Sequence, residues 1–443
     1  MASFSIPLTG LEADSTALNT IANDLANMST TAFKAQSTNF SDLFYQQVGS
    51  TGSGDPIQVG AGVRVASNET DFTAGTPNST GVASDVALQG SGFFVVDDGS
   101  MQYLTRAGNF QTDSAGNLIT TNGMNVMGYP APGGVVDTNA PLAAINIPIG
   151  QVQAPQATTT MSIPTTLNSS STAGATSEFP AEITVYDSLG QPHIVTVTYE
   201  MTAPGTWTYS AQLPAADYTA AGGDVVPAAI TGTMTFDANG NLAAVNGTNV
   251  GTGAGDVSSI ALDFTPAAIP AAPPAPAVPA SALADGAAAL TINWNLLSSA
   301  GTPNISQVDA TSAISGTTNQ NGYTTGEYEG FAVGSDGTVS VTYSNGQQQN
   351  VAQIALANVA NLQGLTMLGS GDYQTTQASG AATVGISGTA GLGTMEGGAL
   401  EASNVNISTE FSDLIVAQRA FEANAKAVTT FDTVEQDTIN MVH

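Results

Sequence analysis

The chain of 443 residues is 42% hydrophobic, enough for folded domains, about three by length, and too apolar for wholesale disorder. Its charge is lopsided, with 35 Asp and Glu against 5 Lys and Arg and a formal net charge of −30. The basic residues are Lys34, Arg64, Arg106, Arg419 and Lys426, so the whole middle of the chain lacks Lys and Arg, which argues against nucleic acid and anionic membrane surfaces as partners.

In chain order, residues 1–28 read as an amphipathic helix. Leu8, Leu11, Ser15, Leu18, Ala22 and Leu25 alternate steps of three and four, a seam of about three heptads. Ser3 and Thr9 are the candidate N-caps. Residues 32–72 are irregular, with 49–54 as a glycine-containing flexible patch. Apolar runs of strand length follow at 82–88, 93–96, 117–121, 124–129, 181–186, 194–201, 207–213 and 230–236. Turn sequences separate them, among them Asp113-Ser114-Ala115-Gly116, Asp187-Ser188-Leu189-Gly190 and Asp237-Ala238-Asn239-Gly240. The Pro/Ala-rich stretch 264–290 contains six prolines from Pro266 to Pro279, so it reads as a linker or long loop and not as a membrane helix. Runs at 339–343 and 351–356 flank Asn345-Gly346, a hairpin signal.

From about residue 400 to the end a second amphipathic helix places Ile407, Phe411, Leu414, Gln418, Phe421, Ala425 and Val428 on one seam, with Asn404 or Ser408 as its cap. Gln418 is the polar seam position that can set register. The expected fold class is mixed: a terminal α-helical coiled-coil domain drawn from both chain ends plus two nested, predominantly β domains. Periodicity alone leaves open that each end is an ordinary surface helix packed on a core.

Catalytic patterns are absent from the sequence. Neither Lys34 nor Lys426 follows a glycine, so there is no phosphate-binding loop, and the glycines at 388, 391 and 393 form no dinucleotide fingerprint. His193 and His443 are far apart, which excludes a paired-histidine zinc helix. His193 follows a turn without a nucleophile elbow and reads as a solvated turn residue. With no cysteine there is neither disulfide nor thiolate metal site. No enzyme, cofactor or metal is expected. The first basic residue is Lys34 and no apolar segment with a cleavage site precedes it, so an extracellular destination would be reached without a cleaved secretion signal.

Several motifs at both ends then point one way. Asn23-Asp24-Leu25-Ala26-Asn27 followed by Thr31-Ala32-Phe33-Lys34 resembles the N-terminal signature of the bacterial flagellar axial proteins, the rod, hook and hook-associated family. Gly398-Ala399-Leu400-Glu401-Ala402-Ser403-Asn404-Val405, with Arg419 and Asn424 further on, resembles the matching C-terminal signature. Gly90, Gly92, Phe93, Arg106 and Gly108 resemble the core β domain of the rod and hook members, and Gln320-Asn321-Gly322-Tyr323 resembles the return into it. The insert of about 170 residues between Tyr129 and Gln320 is similar to the large second β domain of hook-type members. Asp24 and Ala32 depart from the family pattern, which often has Asn and Gly there, and Ser37 stands where a basic residue is common.

The resemblance implies a structural subunit that polymerises with its own copies into a short curved tube transmitting motor torque to the filament. It implies a terminal helical domain (1–30 with 400–443), a connecting segment (31–71), a core β domain (72–147 with 320–399) and an outer inserted β domain (148–319). The assembly seam would be Leu11, Leu18, Leu25, Phe411, Leu414, Gln418, Phe421 and Val428, buried in the coil and against neighbouring subunits. Distal rod, hook cap, hook–filament junction proteins and the flagellar export gate are the implied partners. Phe40 and Phe44 resemble the gate-binding motif of early export substrates, although such a pair is equally an i, i+4 helix contact. A distal-rod-like axial protein, and a secreted acidic β-rich adhesin, are the competing readings.

Overall fold

Helix α1 (Ser5–Ala26) and helix α2 (Ile407–Met441) are separated by strands throughout. The computed structural model describes residues 5–50, 55–218, 228–265 and 283–441. Ser3, His443, positions 51–54 of the glycine patch and the prolines from Pro266 to Pro279 lie outside the described residues. The chain divides into two units. Unit 1 holds residues 1–149, 329–342 and 348–443, and unit 2 holds 150–328 and 343–347.

In unit 1, α1 and α2 run side by side. Asp14 Oδ2 accepts from Asn424 Nδ2 at 2.8 Å, and a Cβ on Gly10 would sit 2.6 Å from the same amide nitrogen. The absence of that Cβ is what admits the amide between the helices. Neither expected cap of α2 serves. Asn406 does instead, accepting from Ser408 N at 3.0 Å, and Glu410 adds an acid to the first turn. Thr9 is inside α1, where its hydroxyl donates back to Ile6 O at 2.7 Å.

The connecting segment is strand, not irregular chain. Gln36–Asp42 pairs antiparallel with Val63–Thr70, with a bulge at Asn39/Phe40, and Gln46–Ser50 pairs with Pro56–Val59. The main sheet of unit 1 has the antiparallel order Gln348–Ile354, Asn125–Pro130, Phe93–Asp97, Gln102–Thr105, Asp372–Gln374, Thr366–Gly369. One face buries Phe93, Val95, Leu104, Met127 and Tyr373, and Phe72, Phe93 and Tyr373 meet as an aromatic trio with centroids 5.3–5.9 Å apart.

The largest sheet lying wholly in unit 2 has six antiparallel strands in strict chain order, from Phe179–Tyr186 through Pro192–Ala203, Thr206–Gln212, Ile230–Phe236 and Leu242–Val245 to Thr248–Asn249. Alternate residues of Pro192–Ala203 (His193, Val195, Val197, Tyr199, Met201) are buried, as period two demands. Trp294, on Thr291–Asn295 of a four-stranded sheet, packs edge-on against Tyr199 and Tyr209. The segment 320–326, expected as the return into the core domain, pairs within unit 2, where Tyr323 bridges Gln156. The Asp-led turns form as read: Asp187 and Asp237 each accept two backbone N–H groups of their own turn, and Gly190 and Gly240 take the positive φ that closes it.

Candidate functional site

The densest chemistry of unit 1 is a buried ion network that joins both chain ends to the core sheet. Lys34, eight residues past α1, is fully buried, and its Nζ lies 2.5 Å from Glu401 Oε1 and donates to Thr73 O at 2.8 Å. Arg106, just beyond the strand Gln102–Thr105, approaches the same carboxylate from the other side, with Nε 3.1 Å from Oε2 and Nη2 3.4 Å from Oε1. Its remaining donors go to backbone carbonyls: Nη1 to Gly90 O at 2.9 Å and Gly92 O at 3.0 Å, Nη2 to Leu88 O at 3.3 Å. Gly75 N is the third residue donating to the Glu401 carboxylate, at 2.8 Å. One carboxylate thus sits between two cations, all three side chains at most 2% exposed. Burial pushes the Lys34 ammonium below the usual lysine range, the Arg106 charge pushes the same way, and Glu401 opposes both.

The segment before α2 is held by backbone and amide bonds as well. Ala32 N donates to Glu401 O at 2.8 Å. Asn404 Oδ1 accepts from Ala35 N and its Nδ2 donates to Asp71 O, both at 2.8 Å. Of the motif residues quoted from the sequence, Lys34, Gly90, Gly92, Phe93, Arg106, Glu401 and Asn404 therefore belong to one constellation, with Arg106 over the Phe93 ring. Gly108 stands beside it because a Cβ there would overlap Val86 O. Asn23 and Asn27 close the end of α1, Asn27 Nδ2 donating to Asn23 O at 2.9 Å. Phe33 O accepts from Asn404 N, Ser403 Oγ accepts from Val405 N, and Arg419 is exposed on α2.

Sequence reading missed Thr73 and Gly75, whose backbone atoms complete the network, because a backbone contribution has no residue-type signal. Two of the three quoted departures fall on demanding positions. Ala32 has φ 54°, the left-handed region that favours glycine. Asp24 is fully buried: one oxygen accepts from Gln36 N at 2.7 Å while Oδ1 has no hydrogen bond, and burial raises its pKa. Ser37 is exposed on its strand.

The seam residues are not brought together inside one chain. Phe411 (52% exposed), Gln418 and Phe421 lie on the outside of α2, whereas Leu11, Leu18, Leu25, Leu414 and Val428 are half-buried. A cleft beside α1 is lined by Glu410, Asp413, Val416, Ala417 and Ala420 with Asp14, Ala17, Thr20 and Ile21. The close approach between the helices is that of Asn424 to Gly10 and Asp14. Phe40 and Phe44 are not a helix pair. Phe40 is on the strand Gln36–Asp42 and Phe44 follows it, 94% exposed. His193 is not solvated either; it is 7% exposed on Pro192–Ala203.

Three family models match successive parts of the chain. "Flagellar hook protein FlgE/F/G D1 domain" covers residues 87–166, "Flagellar basal body protein FlaE D2 domain" 156–323, and "Flagellar basal body rod FlgEFG protein C-terminal" 396–441. The flagellar hook protein FlgE of Salmonella typhimurium is 34% identical over 455 residues, covering 99% of this chain and all of the relative. That of Escherichia coli K12 is 34% identical with 99% of each chain covered, and that of Treponema pallidum 32% with 96% of each. The crystal structure of Helicobacter pylori flagellar hook protein FlgE2 superposes with a TM-score of 0.51 at 15% identity, over 72% of this chain and 99% of that one, which speaks to fold alone. With a third of its residues shared across the full length of such relatives, and both ends meeting in the network built from the quoted motifs, this chain belongs to the flagellar hook protein FlgE family.

Proposed function

We propose that the chain is a structural subunit of the bacterial flagellar hook, and that α1 and α2 are its polymerisation device. One observation carries the assembly reading: among the described residues no side chain of α2 is buried, yet the helix displays Ile407, Phe411, Ile415, Val416, Phe421, Val434, Ile439 and Met441 to solvent. Over residues 432–441 every residue of α2 is exposed. That apolar surface is covered when copies stack, and a heterologous contact that does not close on itself yields an open helical tube. The terminal coiled coil is thus a property of the polymer, in which Phe411, Gln418 and Phe421 face neighbouring subunits while Leu11, Leu18, Leu25, Leu414 and Val428 line the intramolecular side.

The remaining parts of the reading follow from the family. The distal rod, hook cap, hook–filament junction proteins and export gate are the partners, and Phe40 and Phe44 are the gate-binding pair used before folding. The β domains form the outer layers of a flexible joint. The reading is tested with Phe411→Ala/Phe421→Ala. Monomer stability should stay within about 0.5 kcal/mol, as for exposed sites. Loss of about 1.5–3 kcal/mol of burial per side chain should raise the critical concentration for tube formation at least tenfold per contact. Electron microscopy of the protein in high salt, which screens the charge of −30, reads the outcome. Tubes forming at the wild-type concentration would sink the assignment.

A further inference from the structure

Unit 2 contains no Lys or Arg, since the chain's basic residues are at 34, 64, 106, 419 and 426. Even so, three of its carboxylates converge on His193. Asp187 Oδ2 is 3.3 Å and Asp285 Oδ2 3.9 Å from His193 Nε2, and Asp217 Oδ2 is 3.0 Å from Nδ1. His193 is 7% exposed and Asp187 0%. Asp187 and Asp285 each commit Oδ1 to their own turn, accepting from Leu189 and Gln191 N at 2.8 Å and from Ala287 N at 3.0 Å. Each turns its Oδ2 toward the imidazole. The other side of the ring is unsatisfied: buried Nδ1 and Asp217 Oδ2 are close but outside hydrogen-bond geometry, so both lack a hydrogen-bond partner.

Three carboxylates around one imidazole are short of positive charge by two even when the ring is protonated, and unit 2 has no ammonium or guanidinium to supply it. Asp217 and Asp285 keep 21% and 28% of their side chains exposed, but like charges gathered on a buried imidazole still call for a proton or a cation between them. We propose that Asp187 Oδ2, His193 Nε2 and Asp285 Oδ2 bind one divalent transition-metal cation of the zinc class. These three atoms lie within 4.8 Å of one another. Bonds of about 2.0–2.2 Å to nitrogen and carboxylate oxygen in a tetrahedron put ligand atoms roughly 3.3 Å apart, so the 3.3 Å edge from Nε2 to Asp187 already fits, the 3.9 Å edge to Asp285 closes by about half an ångström, and the edge between the two carboxylates starts from within 4.8 Å. The fourth position is left for water. An imidazole ligand selects against magnesium and calcium, which prefer all-oxygen sites. Bound through Nε2, the ring carries its proton on Nδ1, facing Asp217, the outer carboxylate that such ligands require. Asp217 is then a positioning residue, and the cation ties the 187–191 turn to Asp285, 98 residues later in the chain.

Full-length protein stripped with chelator and titrated with Zn²⁺ by calorimetry, in excess Mg²⁺ to occupy the acidic surface, tests this. One equivalent should bind, the melting temperature should rise reversibly, and Co²⁺ should give the visible absorption of a low-coordinate site. Asp285→Asn keeps the turn-capping oxygen and should abolish the stoichiometric event while its circular dichroism stays wild-type. Asp217→Asn should weaken binding about 10–100-fold. His443→Ala should bind as the parent does. The proposal is overturned by no saturable binding in excess Mg²⁺, which leaves a metal-free imidazolium clamp. Wild-type affinity in Asp285→Asn, or loss of binding in His443→Ala, overturns it too.

Discussion

Glu401→Gln changes one atom of the network and almost none of its volume, which makes it the sharpest probe of how the chain ends are held. The retained oxygen can still accept from Lys34 Nζ and Gly75 N. The new amide, however, stands 3.1 Å from Arg106 Nε, donor against donor, and two cations at 0% and 2% exposure lose their counter-charge. Removing one partner of a buried pair costs about 3–5 kcal/mol, against at most about 1 kcal/mol for an exposed pair. Lys34 can limit the cost by giving up its proton, because burial already pushes its pKa down, so the lower half of that range is expected near neutral pH. At about 2–4 °C per kcal/mol for a domain of this size, unit 1 should melt roughly 6–16 °C earlier. Scanning calorimetry of the full chain provides its own control, since the transition of unit 2 contains none of the three residues. Lys34→Met leaves a neutral Glu401–Arg106 pair and should cost less, and the double variant should be clearly non-additive. A loss below about 1 kcal/mol for Glu401→Gln, or plain additivity, would refute the buried-network account.

Asp24→Asn should stabilise the protein by about 1–2 kcal/mol at pH 7, because it removes a buried carboxylate with an orphaned oxygen and relieves repulsion with Glu410. The folded pKa of Asp24 is raised, so its contribution is fully present below the unfolded value of 3.8 and is lost as pH rises through the folded one. Urea titrations at several pH values should show that slope in the wild type alone; an Asn variant less stable at pH 7 would contradict the reading. Burial pushes the Tyr373 phenol up to about 12 from an unfolded value of 10.0, so stability present below pH 10 is lost as pH rises through that window. Tyr373→Phe should therefore lose about 1 kcal/mol less than wild type between pH 10 and 11, and equal losses would mean the ring is wetter than its 2% exposure indicates.

What the sequence revealed depended on where the controlling interaction lies. The Asp-led turns, the hairpin at Asn345-Gly346 and the alternating strand Pro192–Ala203 are local, and they formed where residue type and period put them. The pairing of Gln36–Asp42 with Val63–Thr70 was illegible because both strands are polar and half-exposed, so no apolar period marks them. What covers the apolar stripe of α2 is not legible, since hydrophobicity locates such a stripe but not its partner. His193 was misread because its partners come from positions 187, 217 and 285, a convergence that only the tertiary fold produces.

The motif residues and the apolar stripe have opposite requirements, and the fold separates them along the chain. Glu401 and Asn404 are tied down before α2 begins, through bonds to Lys34, Ala35, Asp71 and Arg106 that are complete within one molecule. Beyond Ile407 the described helix buries nothing, and past Phe431 every described residue is exposed. A lock that needed a neighbour would leave the chain ends unanchored before assembly, and a stripe satisfied within the monomer would leave nothing to drive it. In the proposed assembly the burial left undone on α2 is supplied by other copies, at about 1.5–3 kcal/mol for each large side chain covered. An ion network at its base also fixes the direction in which the helix leaves the sheet. Shared geometry at that base is what repeated identical contacts in a helical polymer require, which gives a physical reason for the motifs to cluster at the network instead of along the stripe.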